Sequence, residues 1–149
     1  MSDTHTAIAV TASRPEELHR LLALRFNQGD LDGVVGLYDR AATLVPAPGQ
    51  QVSGATGLRQ ALAGFLAFTP RETFVETLSV VYAQPLDGGG HGGAIGEQAL
   101  TRSRWGLKGT HPESGAEVVL EHRGVEVMRR QTDGSWRFLI DDPFGGDLR

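Results

Sequence analysis

The order of helical and strand-like segments constrains this chain more than any single motif does. Three segments with helical apolar spacing occupy its first half, and long strand-like segments follow without a further helix. Helices that precede strands in this way are typical of α+β domains, in which helices cover one side of an antiparallel sheet. The sequence therefore predicts a cone-shaped α+β barrel. A curved, mainly antiparallel sheet wraps around the N-terminal helices and leaves an internal pocket with an open mouth.

The first half of the chain carries clear helix signals. Pro15 suits a first helical turn, Leu22 and Phe26 belong to an apolar stripe, and Gly29 suits the left-handed end of the helix. Asp30 can cap a second helix, whose buried face would include Leu37 and Tyr38. The segments that follow are predicted to be a short strand, its hairpin partner and a third helix, over residues 42–45, 51–53 and 58–68.

The second half changes to strand patterning. Its strands are predicted over residues 71–84, 94–107, 116–131 and 135–142. Residues 88–93 are rich in glycine, and strands flank them on both sides, so a flexible hairpin loop is favoured over a phosphate cradle, which needs a following helix. We expect a flexible arm over residues 1–12 and a single domain over residues 13–149.

Composition narrows the classes of function. The net charge is −4, which disfavours nucleic-acid binding, and the chain has no cysteine, which excludes disulfides and thiolate metal sites. No histidine pair forms a metal-ligand motif, so neither a metal nor a cofactor is expected. No apolar run approaches the ~20 residues that span a bilayer, and the first residues do not read as a signal peptide. A cytoplasmic protein without membrane contact is the expectation.

Several motifs carry a resemblance to a known family. After the first helix comes Asn-Gln-Gly-Asp-Leu-Asp-Gly over residues 27–33, and Gly57-Leu58-Arg59 opens the third helix. Near the C-terminus stand Asp-Gly-Ser-Trp-Arg over residues 133–137 and Ile-Asp-Asp-Pro over residues 140–143. In their order and spacing these motifs resemble the nuclear-transport-factor-2-like superfamily, in particular its SnoaL-like and ketosteroid-isomerase-like branches. The resemblance implies a cone-shaped fold with a deep pocket, commonly in a homodimer.

The resemblance also implies where isomerase-like catalytic residues would lie. The base position falls at Pro46 or Val45, the tyrosine position at Leu22, and the acid of the later strand at Arg123. None of these residues has the required chemistry, so the sequence predicts that steroid-type double-bond migration by that mechanism is absent.

Three residues are candidates for chemistry. Strand alternation places Arg123 on one face with Glu121 and Val125, and the resemblance turns that face inward. There a guanidinium can hold a carboxylate or an enolate oxygen, or it can form a structural ion pair with Glu121 or Asp141. Asp141 can act as a base near the mouth or serve in a turn with Pro143. Glu76 becomes a proton-transfer candidate if it faces the pocket.

Further residues are expected to line the pocket and contact a ligand. They are Leu22, Phe26, Tyr38, Pro46, Thr101, Ser103, Trp105, Glu121 and Val125. By the same alternation His122 and Glu126 belong to the outer face, together with Met128 and the arginines of the neighbouring strand.

Two functions remain open at this stage. The first is a pocket protein that binds a small, largely apolar, oxygen-bearing molecule and carries out proton-transfer or hydration chemistry. The second is a non-catalytic binding domain that forms a homodimer through its outer sheet face. The charges inside the pocket discriminate between them.

Overall fold

The predicted element order is confirmed by a computed structural model, which describes residues 11–84 and 96–147. The elements are α1 (Pro15–Asn27), α2 (Leu31–Val35), β1 (Tyr38–Leu44), β2 (Val52–Ser53), α3 (Ala55–Leu66), β3 (Phe74–Tyr82), β4 (Gln98–Thr110), β5 (Glu117–Arg130) and β6 (Trp136–Asp142). The glycine-rich loop expected over residues 88–93 lies outside the described residues, as do residues 1–10 of the expected arm. No helix in the described part of the chain is long and apolar enough to cross a membrane.

The strands form one curved, unclosed six-stranded sheet in the order β2-β1-β6-β5-β4-β3. Neighbouring strands are antiparallel except β1 and β6, which run parallel. This arrangement confirms the mainly antiparallel α+β fold. The chain also pairs outside these strands at Ala12, which is 1% exposed and whose carbonyl accepts a hydrogen bond from the Trp136 N–H.

Capping residues set the ends of α1 and the start of α2. Pro15 stands in the first turn of α1, and the Ser13 N–H and hydroxyl both donate to one Glu17 oxygen at 2.8 Å. Gly29, with φ of 67°, turns the chain after α1, a conformation that glycine adopts without a Cβ penalty. Asp30 caps α2 as predicted, because its carboxylate accepts the Gly33 N–H at 2.9 Å.

The second helix is shorter than the sequence indicated. It ends at Val35, and Tyr38 begins β1 instead of completing a helical face. Gly33 and Gly36 lower the helix propensity of this segment, and pairing of Tyr38 with Phe138 on β6 provides the alternative. Tyr38 therefore reaches the core from the sheet.

The register of β4 against β5 decides which side chains face the helices. Trp105 lies opposite His122, and Thr101 lies opposite Glu126, so odd positions of β4 share a face with even positions of β5. The buried side chains of this concave face include Thr101, Ser103, Trp105, Glu126 and Met128. The core between the sheet and the helices is filled by Leu18, Leu44, Leu62, Trp136 and Phe138.

The expected orientation of β5 is therefore wrong. Glu121, Arg123 and Val125 lie on the outer face, whereas Glu126 and Met128 point inward with 3% and 0% of their surface exposed. The physical reason is the register: once Trp105 faces inward, its cross-strand neighbour and every second residue of β5 must do the same.

Candidate functional site

A cavity of about 50 Å³ lies between the concave face of the sheet and helices α1 and α3. Most of its wall is apolar, and four of the side chains along it are ionisable. Its lining residues are His19, Leu22, Phe26, Tyr38, Leu44, Leu62, Phe65, Thr73, Val75, Ser103, Trp105, Glu126, Asp141 and Pro143. An apolar cavity with a few converging polar groups is the usual form of a small-molecule site.

Glu126 is held at the cavity wall by three hydrogen-bonding groups. Its Oε1 accepts the Thr101 hydroxyl at 2.6 Å and lies 3.0 Å from His19 Nε2, and its Oε2 accepts the Ser103 hydroxyl at 2.6 Å. Since the carboxylate is bound at both oxygens, its orientation is fixed. A buried acid with this many donors needs no cation to be satisfied.

His19 orients Glu126 from the first half of α1. The ring is 1% exposed, and its Nδ1 lies 2.6 Å from the Thr77 hydroxyl on β3. A neutral imidazole with the proton on Nε2 satisfies both contacts, because Nε2–H then donates to Glu126 and Nδ1 accepts from Thr77. Both ring nitrogens are occupied, so His19 fixes the orientation of Glu126.

The space for this carboxylate depends on a glycine. A Cβ at Gly124 would collide with Glu126 Oε2 and would lie 2.7 Å from Ser103 Oγ. Gly124 lies two residues before Glu126 on the same face of β5, directly opposite Ser103. The missing side chain therefore lets the Glu126 carboxylate fold back towards Ser103.

A second buried acid stands beside the first. Asp141 pairs with Glu126 across β5 and β6, and its Oδ2 accepts the Tyr38 hydroxyl at 2.5 Å. Burial and the neighbouring charge of Glu126 raise the pKa of Asp141 to about 7, against the lowering effect of the Tyr38 hydrogen bond. Burial and the adjacent Asp141 also raise the pKa of the Tyr38 hydroxyl well above its usual value.

Together the two acids can divide the roles of acid and base. Two carboxyl groups this close in an apolar site do not both ionise easily, so Asp141 stays partly protonated at neutral pH. A neutral carboxylic acid can donate a hydrogen bond to a ligand oxygen, while the neighbouring carboxylate can accept a proton. Within residues 11–84 and 96–147, no set of three or more His, Cys, Asp or Glu side chains is arranged to hold a metal ion.

Sequence comparison assigns the family of this fold. The sequence model of the SnoaL-like domain matches residues 18–138, which is most of the chain. The chain belongs to the SnoaL-like domain family. This places it in the nuclear-transport-factor-2-like superfamily, as the motif order indicated. No protein with a curated description matches the sequence significantly.

Solved structures resemble this SnoaL-like domain at low sequence identity. A ketosteroid isomerase-like protein from Erwinia carotovora atroseptica is 18% identical, with a TM-score of 0.66 over 85% of this chain and 89% of its own. A provisional scytalone dehydratase from Novosphingobium aromaticivorans is 14% identical, with a TM-score of 0.63 over 85% and 78%. A nuclear transport factor 2-like superfamily protein from Salmonella enterica serovar Typhimurium is 11% identical, with a TM-score of 0.65 over 90% and 89%. At these identities the likeness shows the fold alone.

The SnoaL-like cavity brings together six of the predicted site residues. These residues are Leu22, Phe26, Tyr38, Ser103, Trp105 and Asp141. Thr101 lies behind Glu126 and contacts it without lining the cavity. The Trp105 indole N–H donates to the Pro143 carbonyl at 2.7 Å, which draws the segment after β6 against the cavity.

Five predicted residues do not reach the cavity. Pro46 lies outside it on the chain that follows β1, and Val125 lies on the outer face of β5. Glu76 is on the outer face of β3, where it accepts a hydrogen bond from Arg104 at 3.0 Å. Arg104 also donates to Glu121 at 2.6 Å, so Glu121 has a structural ion pair, with a different arginine from the one expected. Arg123 is exposed on the same outer face, where its backbone N–H donates to Asp147.

Two of the ionisable residues at the site escaped sequence reasoning. His19 lies three residues before Leu22 and seven before Phe26, so helical periodicity places it on the same face of α1. This periodicity is the one sequence signal that indicates its position. Glu126 was assigned to the outer face, and only its pairing with Thr101 corrects that assignment.

Proposed function

We propose that this protein binds a small, largely apolar, oxygen-bearing molecule in its cavity and catalyses proton transfer on it. The observation that carries this proposal is the Glu126–Asp141 pair, two buried acids side by side at an apolar cavity, one of them with a pKa near 7. A pair of titratable groups with divergent environments is the usual sign of an acid and its partner base.

The chemistry follows from the two roles. Asp141 donates its proton, or a hydrogen bond, to a carbonyl oxygen of the substrate, and the Tyr38 hydroxyl holds Asp141 in place through its hydrogen bond to Oδ2. Glu126 accepts the proton from the carbon next to that carbonyl, so an enol forms while Glu126 becomes neutral and Asp141 becomes charged. Glu126 then returns a proton to the same or to another carbon, and the enol O–H proton goes back to Asp141, which completes an exchange or an isomerisation. Hydration is the related reaction, in which Glu126 takes its proton from water, the water oxygen bonds to the carbonyl carbon, and Asp141 protonates the carbonyl oxygen.

Deuterium exchange tests the proposal without knowledge of the natural substrate. The protein is incubated in D₂O with cyclohexanone or acetophenone, and loss of the α-proton signal is followed by NMR. We expect exchange above the protein-free rate, reduced by at least about 100-fold in Glu126→Gln, since positioned general bases contribute on the order of 10²–10⁴-fold. Glu76→Gln is the matched control, because Glu76 is an exposed acid on the outer face of the same sheet.

The outcome is decided by the difference between the two variants. Proton abstraction by Glu126 is rejected if neither ketone exchanges above the protein-free rate. It is also rejected if Glu126→Gln and Glu76→Gln give equal exchange rates. The rate should also fall as the pH rises above about 7, because Asp141 then loses the proton that it donates. A rate that rises through this range would contradict the role of Asp141.

A second candidate is a binding domain without catalysis, assembled as a homodimer. The outer face of the sheet carries exposed apolar side chains beside the Arg104 ion pairs; they are Phe74, Val81, Val119 and Ile140. Apolar side chains mixed with ion-paired charges suit a polar-rimmed subunit interface. We expect a dimer by sedimentation at micromolar concentration and a monomer for Val119→Lys, with Thr132→Lys in a distant loop as the control. A monomeric native protein rejects the dimer.

A further inference from the structure

One buried polar group at the cavity is not used by the acid pair. Thr73 is 9% exposed and lines the cavity, and its hydroxyl oxygen is the one buried side-chain polar atom of the described residues that lacks a hydrogen-bond partner. Buried hydroxyls are normally paired, and an orphan at a cavity wall is a place where a ligand atom can complete the pairing.

Asn27, the last residue of α1, fixes the backbone of Thr73 from both sides. The Asn27 side-chain oxygen accepts the Thr73 N–H at 2.7 Å, and the Asn27 side-chain nitrogen donates to the Thr73 carbonyl at 3.1 Å. The backbone groups of Thr73 are thereby satisfied by a single amide. Only the hydroxyl remains to be paired, and its position is set by a helix end.

Thr73 and the acid pair lie at opposite ends of the cavity along α1. His19 contacts Glu126, and Asn27 holds Thr73; eight residues of helix separate them, which is about 12 Å at 1.5 Å per residue. The lining between these ends is apolar and includes Leu22, Phe26 and Val75. A ligand that satisfies both ends therefore has an apolar middle and an oxygen at each end.

We propose that Thr73 is a specificity residue that binds the remote oxygen of the substrate. The substrate class is a single-ring compound with a carbonyl at the acid pair and a hydroxyl or second carbonyl on the far side of the ring. The inference rests on the proposed function only for which end of the ligand faces the acid pair. The pairing of Thr73 with a ligand oxygen stands on the orphan hydroxyl and the Asn27 contacts.

A matched pair of probes tests the inference. Acetophenone and 4-hydroxyacetophenone differ by one hydroxyl, placed at the end of the ring that would face Thr73. Binding is measured by titration while the NMR signal of the Trp105 indole N–H is followed, and exchange is measured as above. We expect the native protein to bind 4-hydroxyacetophenone about 10-fold more tightly, which is the effect of one hydrogen bond of ordinary strength.

Three variants separate a ligand contact from a structural role. Thr73→Val should lose the preference for the hydroxylated probe, and Thr73→Ser should keep most of it. Thr132→Val, in the loop before β6, should retain the native preference. Thr73→Val should also melt at or above the native temperature, because the variant removes a buried polar atom that has no partner in the free protein.

Failure of this inference is distinct from failure of the proposed function. If neither probe undergoes exchange but the native protein still prefers the hydroxylated probe in binding, the chemistry fails and the Thr73 contact stands. If the native protein does not distinguish the two probes in binding, or if Thr73→Val distinguishes them equally, the inference is overturned. A melting temperature several degrees lower in Thr73→Val also overturns it, since the hydroxyl would then have a partner within the protein.

Discussion

Two aspartates in this protein expose equally little surface and behave in opposite ways. Asp39 on β1 and Asp141 on β6 are each 5% exposed. Burial opposes ionisation of Asp39, but hydrogen bonds from Arg129, the Ala41 N–H and Gln131 outweigh it and lower its pKa to about 2. Asp141 has the Tyr38 hydroxyl and the charge of Glu126 as neighbours instead, and its pKa rises to about 7.

The difference shows that the partners of a buried acid, together with its depth below the surface, decide what the acid can do. Arg129 binds both oxygens of Asp39, at 2.8 and 3.0 Å, so that acid is committed to an ion pair at all moderate pH values. Asp141 has a neutral donor and an acidic neighbour, and so it can hold or release a proton near pH 7. Tyr38 and Asp39 are adjacent in sequence, yet they serve the cavity and the ion pair respectively, because strand neighbours point to opposite faces.

The largest expected effect is on the pH dependence of stability in Asp141→Asn. In the native protein, stability from protonated Asp141 is fully present below pH ~4 and is lost as the pH rises through about 7, because the unfolded chain ionises first. The shift of about three pKa units corresponds to on the order of 4 kcal/mol. Between pH 4 and pH 8 the free energy of unfolding of Asp141→Asn should therefore rise relative to that of the native protein. Urea unfolding at several pH values measures this.

One result of that experiment would contradict the raised pKa of Asp141. A difference between Asp141→Asn and the native protein that does not change between pH 4 and pH 8 would mean that Asp141 ionises normally when folded. Glu76→Gln serves as the control, and we expect its difference from the native protein to stay small because Glu76 is an exposed surface acid.

The next effect concerns the neighbour that raises the pKa of Asp141. In Gly124→Ala the new methyl group displaces the Glu126 carboxylate from Ser103, at a cost of typically about 1–3 kcal/mol for overpacking. With Glu126 displaced, the pH dependence attributed to Asp141 should become weaker. Gly64→Ala in α3 is the control, since a Cβ there meets nothing within 4 Å and should stabilise the helix by roughly 0.5–1 kcal/mol. Native-like stability and pH dependence in Gly124→Ala would disprove the crowding.

The sequence predicted much of the fold and one side of the site. Helical spacing identified Leu22 and Phe26, because that pattern is local and regular. Strand alternation on β4 grouped Ser103 with Trp105, and the resemblance turned that face inward. The face of β5 was wrong because the resemblance turned Arg123 and Val125 inward and so left Glu126 outside. The correct face depends on pairing with β4, a contact between distant residues that alternation within β5 does not contain.

The acid pair was harder to predict for a related reason. Asp141 was a candidate with a turn role left open, and Tyr38 was expected on a helix; neither pattern indicates that they meet across β1 and β6. Burying acids in a core contradicts the hydrophobic pattern, and such local contradictions are where functional sites are expected. The part of the site that follows the folding pattern was therefore predictable, and the pairing of the two acids was not.

The smallest effect, in Asp39→Asn, should mirror that of Asp141. The ion pair of Asp39 contributes stability that is present above pH ~4 and lost as the pH falls through about 2. Its pKa shift of just under two units corresponds to about 2 kcal/mol, so Asp39→Asn should be less stable than the native protein by that amount at pH 7. The stability difference between Asp39→Asn and the native protein should narrow as the pH falls below 4, whereas the Asp141→Asn difference changes only above pH 4.

Asp32→Asn is the matched control, because the Asp32 side chain is 84% exposed in its pair with Arg59 and should contribute little. A gap for Asp39→Asn that is absent at pH 7, or that widens in acid, would show that Arg129 does not set the charge of Asp39, and the contrast between the two aspartates would then need another cause.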